Sequence, residues 1–298
     1  MVHSFEEYVS DYHKRYRQFY AHPQEAYLAP FRIYGNLYYV GDKKACMHLI
    51  DTGEGLVLID MGFPHTYPLL LDSIFRLGFD PKDVKTVILT HGHFDHVGAL
   101  AQFRETYGCR IGISRIDHEY LKTREDYVLK ALTEPVAPMF SVPEDFDYLF
   151  EDGDTFELGN LKIDLQIVPG HTPGVLGFFF DAVGPEGPMR CGLIGGVGLS
   201  SIHPWYMEHF DFPKDLPQQM LSKVLSLKEE HVDIHLGNHP GNNDTLEKRE
   251  KMLETVRTLH VTDGDLPADR NPFIDPEAWP AFLDGLAARI EKVIGGEL

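Results

Sequence analysis

One short stretch constrains this chain more than any other part of it: Thr90-His91-Gly92-His93-Phe94-Asp95-His96. It places three imidazoles and one carboxylate, all potential metal ligands, in a single turn. The apolar run Val84 to Leu89 precedes this turn, and an apolar-periodic segment, Val97 to Phe103, follows it. The pattern predicts a buried strand that gives way to a helix, which is where α/β proteins place their chemistry. Because a catalytic zinc ion takes three protein ligands and keeps a position for water, four ligands this close together predict two metal ions.

Two later segments complete a series of motifs, Gly170-His171-Thr172-Pro173-Gly174 and Gly237-Asn238-His239-Pro240-Gly241. In order and spacing, the three motifs resemble those of the metallo-β-lactamase superfamily, and the resemblance extends from about Pro30 to about His260. Within the superfamily, the chain is most similar to the β-lactamase subclass whose second metal is held by Asp-His-His. The segments that carry this closer likeness are Pro30 to Ile33, Gly35 to Gly41 and His239 to Gly241.

The resemblance implies a set of metal ligands. His91, His93 and His171 would bind the first metal. Asp95, His96 and His239 would bind the second. It implies two zinc ions, with iron or manganese as alternatives, and a metal-bridged hydroxide that Asp95 orients for attack.

The resemblance also places Asp60 beside the metal loop. There its carboxylate would accept a hydrogen bond from the outer nitrogen of a ligand histidine and fix the orientation of that ring. A cap of its own turn is the alternative role for this residue.

The chain departs from the superfamily after the third motif. Most members have an aspartate that bridges both metals at the end of the next strand, whereas this chain has Ile194-Gly195-Gly196-Val197-Gly198. The β-lactamase subclass that it resembles also lacks that bridge. With one anion fewer, two zinc ions would keep a net positive charge and favour a substrate that carries its own carboxylate.

The residues predicted to contact the substrate are Ser200, Trp205 and Tyr206. In the subclass that the chain resembles, serines bind the substrate carboxylate, but they are matched here by Val197 or Leu199. Ser200 lies next to them and would either replace those serines or be an ordinary solvated residue. Trp205 and Tyr206 belong to a predicted loop, 202–210, that is rich in groups able to bind small molecules. The predicted reaction is hydrolysis of the acyl bond in a small cyclic amide or ester, either a β-lactam or a lactone.

Apolar patterns of strands and helices predict the architecture. Two strand-rich halves, each followed by helices, predict an α/β fold of two packed sheets with helices outside. The resemblance implies the four-layer αββα sandwich of the metallo-β-lactamase type. We expect a single domain over residues 1–298, with an N-terminal helical extension over 1–29 and a C-terminal helical tail over 262–298.

The segment Asp117 to Asp152 is predicted to be less regular than its surroundings and to face the substrate. Three prolines, Pro135, Pro138 and Pro143, interrupt any long helix in it. Its aromatic and apolar side chains would either line a pocket or cover the core; they are Tyr127, Met139, Phe140 and Phe146.

The N-terminal residues predict an amphipathic helix. Ser4 and Glu7 form a capping-box pattern, and aromatic residues follow at helical spacing as far as Phe19. These aromatic side chains would pack on their own domain, cover the metal site as a flap, or form a homodimer contact.

Charge and composition limit the classes of binding partner that the chain can have. The formal net charge of −19 argues against nucleic acid, whose phosphates are bound by clusters of Lys and Arg. The three cysteines are scattered, and no apolar stretch is long enough for a membrane span. We therefore expect a cytoplasmic protein that acts on a small molecule and binds neither nucleic acid nor membrane.

Two other functions fit parts of the same pattern. A mononuclear iron oxygenase of the same fold would use only His91, His93 and His171, or their neighbours, around one metal. A non-catalytic, metal-bearing binding protein would explain the missing bridge. The presence of Asp95 and His96 favours the hydrolase over both.

Overall fold

The computed structural model describes residues 2–133 and 140–297 of the chain. The strands within these residues are β1 Phe31–Tyr34, β2 Leu37–Tyr39, β3 His48–Asp51, β4 Leu56–Ile59, β5 Val84–Ile88, β6 Arg110–Ser114, β7 Tyr148–Phe150, β8 Thr155–Leu158, β9 Leu161–Ile167, β10 Leu176–Gly184, β11 Gly187–Ile194 and β12 Ile234–Leu236. The helices are α1 Phe5–Ala21, α2 Tyr67–Arg76, α3 Phe94–Val97, α4 Leu100–Tyr107, α5 Arg115–Thr123, α6 Pro204–Phe210, α7 Leu216–Ser226, α8 Thr245–Leu259 and α9 Ala278–Ile294.

The strands form two sheets. The first sheet has the order β1-β2-β3-β4-β5-β6-β7, and the second has the order β12-β11-β10-β9-β8. Neighbouring strands of the first sheet are antiparallel from β1 to β4 and parallel from β4 to β7. In the second sheet β12 pairs in parallel with β11, and the other pairs are antiparallel. Each sheet therefore has a parallel part, and the carboxyl ends of such strands are where functional loops meet.

Alternation along the strands separates two apolar layers. Residues on one face, such as Ile50 and Phe178, belong to a core between the two sheets. Residues on the other face, such as Leu49 and Phe179, belong to a core between the sheets and the helices. Trp279 of α9 packs edge-on against Phe179, with ring centroids 5.8 Å apart, and this contact docks the helix on the second sheet. Two facing sheets with helices outside confirm the predicted α/β sandwich.

Helix α1 begins where the capping pattern predicts. The hydroxyl of Ser4 accepts the backbone N–H of Glu7 at 3.2 Å, but the Glu7 carboxylate accepts the N–H of His3 instead of that of Ser4. The aromatic face of the helix packs on the same chain. Tyr12, for example, contacts Phe94 of the metal turn edge-on, at 5.9 Å between ring centroids. A homodimer contact through this helix stays a prediction.

The described part of the segment Asp117 to Asp152 is less regular, as predicted, except at its start and at strand β7. It begins inside α5, because the hydroxyl of Ser114 caps that helix by accepting the N–H of Asp117 at 3.1 Å. Tyr127, the candidate for a pocket or a core position, is buried in the core and donates its hydroxyl to the Asp117 carboxylate. Pro135, Pro138 and Met139 lie outside the described residues.

The segment 202–210 differs from its prediction as a loop. Most of it forms α6, which begins at Pro204 and ends before Asp211 in the left-handed conformation, with φ 55°. Proline suits the first turn of a helix because its φ is already fixed at a helical value. The N–H group that it lacks would have no hydrogen-bond partner within the helix at that position. The aromatic residues of this segment therefore point in helical directions, and one of them, Tyr206, points into the core.

None of the helices in residues 2–133 and 140–297 combines the length and the apolar composition that a bilayer crossing demands.

Candidate metal centre

Every predicted metal ligand follows the carboxyl end of a strand. In the first sheet β4 and β5 are parallel neighbours, and the N–H of Asp60 donates to the carbonyl of Ile88 at 3.1 Å. This bond places Asp60 beside the His-x-His-x-Asp-His turn. In the second sheet His171 follows β9, and His239 follows β12.

Three imidazole nitrogens converge in a first cluster. Nε2 of His91 lies 3.1 Å from Nδ1 of His93, which lies 3.0 Å from Nε2 of His171. Two nitrogens bound to one tetrahedral zinc, each at roughly 2.0–2.1 Å, would be about 3.3 Å apart, so this spacing fits a single metal ion. The three rings form a group that could hold a metal ion.

The remaining predicted ligands form a second cluster. Nε2 of His96 lies 3.3 Å from Nε2 of His239. Oδ2 of Asp95 lies 3.4 Å from that nitrogen of His239 and 3.7 Å from that of His96. His91 also lies within reach of Asp95 and His96, so the two clusters adjoin. The structure thus brings together all the ligands predicted for two metals, and their metal binding stays a prediction.

Hydrogen bonds to backbone carbonyl groups fix the tautomers of His171 and His239. Nδ1 of His171 lies 3.1 Å from the carbonyl oxygen of Gly198, and Nδ1 of His239 lies 2.6 Å from the carbonyl oxygen of Lys44. A carbonyl can only accept, so each Nδ1 carries the proton and donates it. Each Nε2 therefore presents a lone pair to its cluster, as a metal ligand must.

Asp60 fixes two more rings. Its Oδ2 accepts Nδ1–H of His96 at 2.7 Å and the hydroxyl of Thr90 at 2.8 Å, and its Oδ1 accepts the Thr90 N–H at 2.8 Å. The Thr90 hydroxyl donates its proton to Asp60. The same hydroxyl oxygen therefore accepts the N–H of His91 Nδ1, at 3.1 Å. His91 and His96 therefore also present Nε2 lone pairs. The structure places Asp60 against His96, a predicted metal ligand, as the resemblance implies.

His93 is oriented the other way round. Its Nδ1 joins the first cluster, and its Nε2 is buried without a hydrogen-bond partner among the described residues. As a ligand through Nδ1, this ring would carry its proton on Nε2.

The environment keeps most of these histidines neutral. Burial, followed by the charges of neighbouring histidines, lowers the pKa of His91 and of His93 well below the usual value. Burial also lowers the pKa of His239, and it lowers the pKa of His171 to about 4. For His96, burial acts in the same direction, but the carboxylates of Asp60 and Asp95 outweigh it and raise the pKa. Neutral imidazoles with inward lone pairs and one carboxylate are donors that zinc and related metals accept.

Asp117 supports the site although no motif indicated it. This fully buried carboxylate accepts the N–H of Gly92 at 2.8 Å and the N–H of Gly174 at 2.9 Å. It also accepts the hydroxyls of Thr172 at 2.9 Å and Tyr127 at 2.8 Å. Burial raises the pKa of Asp117 to about 6, against the opposing effect of these donors. Asp117 therefore ties the first metal loop to the loop of His171.

The chain has no room for the bridging aspartate of most superfamily members. Strand β11 ends at Ile194, and two of the glycines that follow, Gly196 and Gly198, pack against the predicted ligand His171. A Cβ atom on Gly196 would come within 2.7 Å of Cδ2 of His171, and one on Gly198 within 2.8 Å of Nδ1 of the same ring. The His171 ring thus occupies the space beside this segment, and only glycine allows that approach.

A cavity of about 580 Å³ opens onto the ligands. Four of its lining residues are predicted ligands: His93, Asp95, His171 and His239. Helix α1 forms part of its wall through Tyr8, Tyr12, Arg15 and Tyr16. The helix therefore covers the metal cavity as well as packing on its own domain.

The predicted substrate contacts are distributed differently. Ser200 lines the metal cavity. Trp205 instead lines a neighbouring cavity with His203. Tyr206 is buried and packs its ring against Phe210, so it belongs to the core and does not line the metal cavity. The prediction that it contacts the substrate there is wrong.

Comparison with known proteins agrees with this geometry. Residues 46–183 match the metallo-beta-lactamase superfamily. The probable metallo-hydrolase YflN of Bacillus subtilis is 31% identical over 139 residues, which cover 43% of this chain and 52% of that protein. The chain thus spans about half the length of this relative. The N-acyl homoserine lactonase of Bacillus thuringiensis is 25% identical over 209 residues, which cover 61% of this chain and 74% of the lactonase.

A solved structure shows the same fold. BJP-1, a subclass B3 metallo-beta-lactamase of Bradyrhizobium japonicum, superimposes with a TM-score of 0.74 at 23% identity. The superposition covers 91% of this chain and 96% of BJP-1. Residues 46–183 therefore carry a metallo-beta-lactamase superfamily domain, and the structural neighbours of the chain include subclass B3 metallo-beta-lactamases.

Proposed function

We propose that this chain is a dinuclear zinc hydrolase that cleaves the acyl bond of a small cyclic amide or ester. The two adjoining ligand clusters carry the proposal, because each offers three donors and so leaves a position for water. When bound, two metal ions would supply hydroxide at neutral pH and polarise the carbonyl under attack. Manganese and iron are alternative metals for the same donors.

Asp95 has a second role in this proposal. Its carboxylate lines the cavity and faces His239 at 3.4 Å, so it touches both the metal site and the substrate space. A carboxylate in this position accepts a hydrogen bond from the attacking oxygen and directs it toward the substrate carbonyl. The fixed tautomers of His91, His96, His171 and His239 keep the ligands in place during that step.

The cavity fits a small molecule. Its volume lies in the range of roughly 300–1,000 Å³ that is typical of small-ligand sites. Phe94, Leu129 and Leu132 give it an apolar wall. A polyanionic substrate such as RNA is disfavoured by the net charge of −19.

Two substrate groups follow from the comparisons. One relative is an N-acyl homoserine lactonase, and one structural neighbour is a β-lactamase. The missing bridge favours a substrate with a carboxylate, since the metals would keep more positive charge without it. We propose β-lactams and lactones as the first compounds to test.

We also infer that the protein acts in the cytoplasm. Cys46, Cys109 and Cys191 are all buried and free. Free thiols are typical of proteins in a reducing compartment.

The first test is metal content followed by hydrolysis. The protein would be purified without added metal, its metals counted by mass spectrometry, and its turnover measured on a chromogenic cephalosporin and an N-acyl homoserine lactone. We expect two zinc ions per chain and hydrolysis of at least one compound. Asp95→Asn should lower kcat by about 100-fold or more, whereas Asp269→Asn, at an exposed aspartate, should leave it unchanged.

The same experiment separates the alternatives. A single iron with no hydrolysis would favour the oxygenase, and bound zinc without turnover of either compound would favour the metal-bearing binding protein. Full turnover in Asp95→Asn would show that the proposed mechanism is wrong.

A further inference from the structure

Lys44 lies on the turn between β2 and β3 and lines the metal cavity. Its carbonyl oxygen accepts Nδ1–H of His239 at 2.6 Å. The backbone of Lys44 is therefore one hydrogen bond away from a predicted metal ligand. No motif of the superfamily resemblance includes this residue, and it lies outside the matched range 46–183.

The turn that carries Lys44 is rigid. The buried carboxylate of Asp42 accepts the N–H of Lys44 at 2.6 Å and the N–H of Ala45 at 3.0 Å. The hydroxyl of the buried Tyr39 donates to the carbonyl oxygen of Asp42 at 2.6 Å. These bonds fix the direction in which the Lys44 side chain leaves the turn.

The Lys44 side chain meets helix α1. Its ammonium nitrogen lies 5.8 Å from the ring centroid of Tyr16 and 6.0 Å from that of Phe19. Aromatic faces at this distance attract a cation and hold it at the cavity wall without neutralising its charge. The helix therefore presents the ammonium group to the space above the metal ligands.

Two other charged groups of the cavity wall form ion pairs, whereas Lys44 does not; the Lys43 ammonium also has no carboxylate partner among the described residues, but it donates to the carbonyl oxygen of Glu25 at 3.2 Å. Arg15 is paired with Asp11 at 2.8 Å, and Glu247 is paired with Lys251 at 2.8 Å. No carboxylate in residues 2–133 or 140–297 forms an ion pair with the Lys44 ammonium. This holds although Asp244, an exposed carboxylate, lines the same cavity.

We infer that Lys44 is an anion-binding residue that holds a carboxylate of the substrate at the wall of the metal cavity. The inference rests on the proposed function and adds to it a specificity-determining residue from the β2–β3 turn and α1. The favoured substrate combines an acyl bond at the metals, a carboxylate at Lys44 and an apolar group beside Leu129 and Leu132. In a chain with a net charge of −19, a free ammonium beside the site selects anions locally.

Two thiols of equal chain length test this inference by binding alone. Both 3-mercaptopropionate and 3-mercapto-1-propanol can reach zinc through sulfur, but only the first carries a carboxylate. Calorimetric titration of the zinc-loaded protein would give the ratio of their Kd values. Lys44→Met keeps the apolar stem and removes the charge, so it should reduce the preference for the acid about tenfold. Lys44→Arg should preserve the preference.

The matched control is Arg17→Met, which removes a positive charge from an exposed position of α1 that does not line the cavity. It should leave the preference unchanged. An equal preference in Lys44→Met and in the native protein would overturn the inference while leaving the dinuclear hydrolase intact. A native protein that binds neither zinc nor thiol would instead contradict the proposed function and, with it, the role of Lys44.

Discussion

Asp117 shows how one buried carboxylate holds two metal loops together. Its four hydrogen-bond donors come from the loop of His93, from the loop of His171 and from Tyr127. All four are N–H or O–H groups, so the residue must accept on both oxygens. No side chain of similar size other than an ionised aspartate can do this.

Asp117→Asn should therefore weaken the site as well as the fold. The amide NH₂ would face two donors, and we expect the free energy of unfolding to fall by about 3 kcal/mol. Zinc affinity should fall by about 10-fold to 100-fold, because the loops would lose their common anchor. Chemical unfolding and zinc titration measure the two effects, with the exposed Asp269→Asn as control. Unchanged zinc affinity in Asp117→Asn would refute the positioning role.

The close approach of Gly196 to His171 leads to a second prediction, which concerns zinc affinity. A methyl group there would meet Cδ2 of His171 at 2.7 Å and Cβ of the same residue at 3.0 Å. Gly196→Ala should displace the ring from the first cluster and lower zinc affinity by at least about tenfold. Gly285→Ala in α9 meets nothing within 4 Å and should at most raise stability by about 1 kcal/mol. Zinc titration of both variants decides whether the contact matters.

Helix α1 forms part of the outer wall of the metal cavity. Phe19 fixes its carboxyl-terminal half, with its ring edge-on to Phe63 at 4.9 Å between centroids. The same ring supports the Lys44 ammonium. The packing of the helix and the shape of the substrate site are therefore coupled.

Phe19→Ala should cost about 3 kcal/mol of unfolding free energy, since the ring is only 7% exposed and would leave a cavity. Gln18→Ala, at the adjacent exposed position, should change stability by less than about 0.5 kcal/mol. Denaturant unfolding of both variants measures the difference. A loss as small in Phe19→Ala as in Gln18→Ala would mean that the helix is not docked by this residue.

The contact between β12 and α9 predicts that the free energy of unfolding depends on pH. His235 of β12 packs against Trp279 and Phe282, and burial, with a smaller effect of Lys248, lowers the pKa of His235 to about 3. The stabilisation from the neutral ring is complete above the ordinary value of 6.5, and it is lost as the pH falls toward 3, because only the unfolded chain binds the proton. At pH 5 this loss is about 2 kcal/mol.

His235→Phe keeps an aromatic ring but cannot bind a proton. Between pH 7.5 and pH 5 its unfolding free energy should therefore fall by about 2 kcal/mol less than that of the native protein. Denaturant unfolding at both pH values measures the difference. Equal losses in the two proteins would show that His235 is not the responsible group.

At the scale of the whole molecule, metal binding and folding should be linked. The ligands come from three loops of two sheets, and they assemble only in the folded chain. Metals that bind the folded state alone stabilise it, by about 4 kcal/mol for one site at a free concentration of 1,000 times Kd. Chelation should lower the Tm, and added zinc should restore it. If a chelator left the Tm of the metal-containing protein unchanged, metal binding and folding would not be linked.

Local patterns predicted much of the architecture. The strand before the metal turn and the N-terminal helix α1 lie where apolar periodicity and the capping pattern predict them. Helix α6 was missed because its proline and closely spaced aromatic residues are as typical of loops as of short helices. Asp117 was missed because its partners are as many as 57 residues away in sequence.

The sequence by itself determined the donors and their order along the chain, because imidazole and carboxylate chemistry and the strand–turn–helix pattern are local properties. Only the tertiary structure decided three features: the tautomers of the histidines, the part of the cavity wall that α1 forms, and the position of Lys44 at the metal cavity. These features depend on bonds between distant segments, such as that of His239 with a carbonyl 195 residues earlier. No periodicity encodes such contacts, since they form only when both sheets have packed and their loops share one end of the sandwich.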